Sequence, residues 1–231
     1  MTRGLRSIAF VTELVHLPVR HNPKSLQRMH SALFDRPGCS YRDFKLVPGG
    51  AQLSNAVPGM PGQPVSLVNL AADRVQIREE QTGVSKDEFA ERLTALAQCA
   101  LETLPVQLFM VQQFAVRSVV NPQAGEDARQ FMLQTVAGFD EGLMSSFPSL
   151  PSLVGMRFTF PPNEQDQAVY NVRVESFSQD NRSLFLENVG TFGRPVKADE
   201  VSKLAERFGA TYAFLQDHVI NFVEQFDGEE G

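Results

Sequence analysis

A chain of 231 residues with 42% hydrophobic and 21% charged residues can bury a sizeable core, as one large domain or two of roughly 115 residues. The net charge of −6 is uneven, with eight Lys/Arg against three Asp/Glu in residues 1–50 and thirteen against twenty-four in the remainder. That acidic balance disfavours general nucleic-acid binding. Eighteen Phe, three Tyr and no Trp make the rings mainly core filling and disfavour a stacking surface for sugars or bases.

In chain order, Ser7–Val19 is rich in Ile, Val, Phe and Thr and reads as a long strand. Asn22-Pro23 supplies an N-cap followed by a proline in the first helical turn, and Leu26, Met29, Leu33 and Phe34 mark a short amphipathic helix that stops at Pro37-Gly38. Tyr41–Val47 reads as a strand. Residues 48–64 are too rich in Gly and Pro for a regular element, although a short edge strand around Ala51–Ser54 could survive there. Strands follow at Val65–Leu70 and Arg74–Glu79. Ser85 and Glu88 then form a capping box in front of Phe89, Leu93, Leu96, Ala100, Leu101 and Leu104, a helix ended by Pro105.

The same order begins again at Val106–Val120, a long strand, with Asn121-Pro122 echoing Asn22-Pro23. A helix is expected over Asp127–Val136, and strands at Val154–Phe160, Val169–Phe177 and Ser183–Val189. The last helix starts near Ala198-Asp199 with the stripe Val201, Leu204, Phe208, Tyr212, Leu215, Val219, Phe222 and Phe226. Phe214, Ile220 and Val223 lie off that stripe, so this helix is read as deeply buried or shared with another subunit. The expected fold class is α+β: two similarly ordered β-α-βββ-α halves, residues 1–105 and 106–231, with antiparallel sheets packed against the longer helices, either as two units or as one continuous domain.

Three segments carry a resemblance. They are LVNLAADRVQIREE leading into Val84–Phe89, Phe114–Asn121, and the closing stretch Leu215, His218, Ile220, Asn221, Phe222 and Phe226. On these the chain resembles a sporadically distributed family of uncharacterised bacterial proteins of about 250 residues. Ser118 stands where that family usually has an aromatic residue. The resemblance implies no activity, so it assigns no catalytic residues.

Searches for chemistry return little. Dinucleotide and P-loop glycine patterns, zincin and hydrolase motifs, and zinc-binding Cys/His spacing are absent, so neither cofactor nor metal is expected. His16, His21 and His30 fall on a strand, a loop and a helix with no acidic residue at tight spacing. Cys39 and Cys99 read as free thiols, and no signal-peptide core or membrane span stands out, which places the chain in the cytoplasm. Arg20, Lys24, Arg28 and His30 form a basic cluster that could dock an anion or an acidic partner. Phe214, His218, Ile220 and Phe222 are the candidates for an interface. The expected function is a non-enzymatic binding or assembly protein, engaging itself or another protein through its last helix or its sheet faces. The alternative is an enzyme assembled from scattered residues, with Arg117, Arg157 and His218 the first to inspect. A nucleic-acid module is the least favoured, and a continuous basic strip across a sheet would revive it.

Overall fold

The computed structural model describes residues 6–36, 38–60, 62–123, 127–164 and 166–227. The expected helix stop at Pro37 and the acidic tail residues Glu229 and Glu230 lie outside them. Strand β1 (Arg6–Val15) leads to α1 (Pro23–Phe34), then to β2 (Asp43–Val47), β3 (Gly50–Ala56), β4 (Val65–Leu70), β5 (Arg74–Glu80) and α2 (Lys86–Thr103). The chain continues through β6 (Leu108–Phe109), β7 (Val111–Val120), α3 (Ala128–Gln130), α4 (Glu141–Met144), β8 (Gly155–Phe160), β9 (Val169–Ser176), β10 (Leu184–Phe192), β11 (Val196–Lys197), α5 (Ser202–Phe214) and α6 (Ile220–Asp227).

Nine strands form one antiparallel sheet in the order β2-β3-β4-β5-β1-β7-β10-β9-β8, and β6 pairs with β11 in a small ribbon. Strands of residues 1–105 therefore fill one side and later strands the other, with β1 against β7 in the middle. Alternation along each strand sends one set of side chains to the helices. Phe10 and Leu14 of β1, Phe114 and Val116 of β7, and Leu184 and Leu186 of β10 join Leu93 and Leu96 of α2 and Leu204 and Phe208 of α5 in one core. At its centre the rings of Phe89 and Phe208 are 4.9 Å apart, and each lies within 5.3 Å of Phe10.

Local signals act as chemistry requires. Asn22 Oδ1 accepts from the Lys24 amide at 2.9 Å. Ser85 and Glu88 close their capping box, the Ser85 amide donating to the Glu88 carboxylate at 2.8 Å. Other boundaries move. β1 ends at Val15, opposite Arg74 and Val111, the residues at which its two partner strands begin. The Gly/Pro-rich stretch contains a full strand, β3, inside the sheet between β2 and β4. Its first residue has to be glycine, since a Cβ at Gly50 would fall 1.7 Å from the Leu70 carbonyl oxygen. The single strand expected over Val106–Val120 is split into β6 and β7, and the helix after Asp127 turns π-helical at Phe131–Val136.

The last helix also departs from its expected stripe. A π turn at Leu215–Val219 separates α5 from α6 and takes up one extra residue, which rotates α6 about the helix axis relative to α5. The buried line becomes Val201, Leu204, Phe208, Thr211, Leu215, Val219, Ile220 and Val223. Tyr212, Phe222 and Phe226 pack half-buried at its flank.

Candidate partner-binding surface

With the long helices on one face, the other face of the sheet presents β1, β5, β7, β9 and β10 side chains in cross-strand rows. The middle row is short: Val11 lies opposite Arg78 on one side and Ala115 on the other, and Ala115 lies opposite Val189. Polar rows rise on either side. On one, Gln76 donates to Glu13 at 2.9 Å, Asn69 donates to Gln76 at 3.1 Å, Gln52 donates to Asn69 at 3.1 Å, and Gln113 reaches Thr191 at 3.3 Å. On the other, Arg117 Nε donates to Glu187 at 2.5 Å and its Nη1 to Glu80 at 3.2 Å. Small side chains between two polar walls leave an open trough of about 410 Å³.

Several charges on this face are paired. Arg74 pairs with Glu13 at 3.1 Å, Arg78 with Glu80 at 2.8 Å, and Arg173 with Glu187 at 3.4 Å. Arg173 also sets its guanidinium 4.7 Å from the centre of the Phe185 ring. Carboxylates thus interrupt the arginines over the middle of the sheet, whereas Arg173 and the exposed Arg157 lie opposite each other at the β8 end.

The residues singled out in the sequence are spread over the molecule. Arg20 and Lys24 are exposed, Arg28 donates to the Thr103 carbonyl at 3.3 Å, and His30 stacks on Phe44 with its Nε2 2.7 Å from the Tyr41 carbonyl. Two of the four are therefore engaged in holding α1 to its neighbours. Ile220 is in the core. Phe214 stacks on Tyr170 at 4.2 Å, His218 lies 4.8 Å from Phe214, and Phe222 meets Phe158 edge-on at 5.7 Å. This places the exposed His218 on the helix side of the sheet, whereas Arg117 and Arg157 are on the opposite face, so the scattered trio does not converge.

Two groups of residues carry polar chemistry whose arrangement the sequence did not reveal. Glu79, 2% exposed on the core side of β5, accepts from Ser66 Oγ at 2.8 Å and from Arg92 of α2, while the buried Tyr41 hydroxyl has no hydrogen-bond partner among the described residues. His16 gives Nδ1 to the Leu17 carbonyl at 2.8 Å and His21 gives Nε2 to the Ala71 carbonyl at 2.7 Å, which leaves His16 Nε2 and His21 Nδ1 buried with no hydrogen-bond partner among the described residues. Burial holds the His16 ring below its ordinary pKa, with the His21 ring acting in the same direction. Among the described residues no group of three or more His, Cys, Asp or Glu side chains is arranged to hold a metal ion.

No family model matches the chain, and no curated protein matches it.

Proposed function

We propose that this chain is a non-enzymatic binding and assembly protein that takes a protein partner in the open trough of its sheet. The observation that supports this reading most directly is the trough itself, an apolar floor of Val11, Ala115 and Val189 between rows of amide, carboxylate and guanidinium groups. Such a surface offers both donors and acceptors to a main chain and a dry centre for one side chain. The enzyme alternative is weaker because Arg117 is committed to two carboxylates and lies across the sheet from His218. The fold is in this reading a duplicated β-α-βββ-α unit, for which the side-by-side placement of β1 and β7 at the sheet centre is the support. Cytoplasmic residence accords with two free, buried thiols. The likeness to the uncharacterised bacterial family belongs to the same proposal.

Affinity capture from the native cell, run in parallel on three forms of the chain, tests the reading. A protein held by the wild type and by an Arg20→Ala, Lys24→Ala variant, but lost when Val11→Arg fills the trough, supports it. A partner indifferent to Val11→Arg overturns it.

A further inference from the structure

Strand β8 closes one end of the sheet and, among the described residues, has β9 on one side only. The Ser176 amide donates to the Val154 carbonyl at 2.8 Å, one step before the Gly155–Glu175 pair. Antiparallel partners alternate between bonded and non-bonded pairs, so Met156, Phe158 and Phe160 turn their main chain toward β9. Gly155, Arg157 and Thr159 therefore turn their amides and carbonyls to the free edge, and all three are exposed.

Protein edges of this kind are usually guarded by lysine, proline, a bulge or a covering loop. β8 contains no proline and one charge, Arg157, whereas the opposite edge strand β2 carries Asp43 and Lys45 in five residues. The rim beside β8 is also aromatic. Phe160 is 41% exposed although its side chain is on the helix side, 5.2 Å from Phe214, and Phe158 and Phe222 beside it are half-buried.

We infer that β8 is the pairing edge for a second copy of this chain, joined antiparallel about a two-fold axis at Phe158. This extends the assembly half of the proposed function. Pleat parity requires the axis to pass through a residue. An axis at Arg157 would set two guanidiniums directly opposite each other, and one at Thr159 would face Arg157 with Pro161, which has no amide to donate, and so leave Thr159 with its counterpart as the one fully bonded pair. Centred on Phe158, Arg157 meets Thr159 of the second copy and exchanges both main-chain bonds, twice over. On the helix side Phe158 meets its own counterpart, and Phe160 meets Met156 of the second copy. The exposed ring is then covered, and Phe214 and Phe222 line the seam between the two helix layers.

Light scattering over a wide concentration range tests this on the wild type, Thr159→Pro, Phe160→Asp and a β2-edge control, Leu46→Asp. Circular dichroism and urea unfolding of each variant check its fold. The expected result is a wild-type mass of twice 25.6 kDa, retained by Leu46→Asp and reduced to the single chain by Thr159→Pro and by Phe160→Asp, with the far-ultraviolet spectrum unchanged. In a Phe158→Cys variant, oxidation should link the two copies, because non-bonded antiparallel pairs bring their side chains closest. A monomer at every concentration overturns the inference, as does a dimer untouched by both β8 substitutions. An open-ended series of masses abolished by Leu46→Asp also overturns it, in favour of β2-to-β8 chaining. A monomer that still captures its partner through Val11 and Ala115 would leave the trough reading standing.

Discussion

Gly190 of β10 lies so close beneath Thr211 of α5 that a Cβ there would fall 2.3 Å from the Thr211 hydroxyl oxygen and 3.2 Å from the Phe192 ring. The last helix reaches the sheet at a point where the strand has no side chain. The neighbouring contact is polar, with the buried Asn188 amide donating to the Thr211 carbonyl at 2.9 Å. Gly190→Ala should therefore overpack this layer and cost about 1–3 kcal/mol. Urea unfolding measures it. Adding Thr211→Ala, which removes the hydroxyl, should return part of the loss, whereas independent effects would simply add.

The Glu79–Arg92 pair gives a larger effect. The Glu79 side chain is 1% exposed and that of Arg92 16%, so removing the cation strands a carboxylate in the core. Arg92→Met should destabilise by about 3–5 kcal/mol, and the double variant Arg92→Met, Glu79→Leu should recover most of it. A double-mutant cycle in urea reads the coupling. Equal losses in the single and double variants would show that the pair is not what holds α2 against β5.

His16 sets a pH dependence. Burial lowers its folded pKa below the ordinary 6.5, so as pH falls the unfolded chain takes up the proton first. Its effect on stability is therefore absent well above the unfolded value, and stability is lost as pH drops below it. Urea midpoints between neutral and mildly acidic pH should fall for the wild type and fall less for His16→Asn, whose side-chain amide can still donate to the Leu17 carbonyl.

Both thiols should be silent in the native state. Cys39 is 4% exposed and Cys99 fully buried, and burial raises the pKa of each. Labelling with a thiol reagent at neutral pH should proceed at the rate of unfolding and become rapid in urea. Fast labelling of the folded chain would place a cysteine at the surface.

Phe208 touches Phe10, Phe89 and Phe114 and is 1% exposed, so it joins the last helix to both central strands and to α2. Phe208→Ala should cost about 3–5 kcal/mol. Calorimetry should show a single transition moved down as a whole, because one core serves the entire sheet.

Element identity was legible wherever a short-range rule was strong. Ser85 with Glu88, Asn22 with Pro23, and the alternation through β8 each announce themselves within a few residues. The stripe of the last helix was legible up to Phe208 and then misleading, because a π turn is invisible to a search at fixed helical period. β3 was obscured by its own glycines, one of which is required by the approach of the Leu70 carbonyl from a strand that comes later in the chain.

The sequence by itself determined the α+β composition, the starts of α1, α2 and α3 and the two faces of β8, since those depend on capping chemistry and on periods of two and 3.6 residues. Only the tertiary structure decided that β1 and β7 would lie together in one nine-stranded sheet, that Arg117 would be held between Glu80 and Glu187, and that β8 would be left with a free edge. Arg117 and Glu187 are 70 positions apart in the chain, and such contacts arise from strand order, which no local pattern of residues encodes.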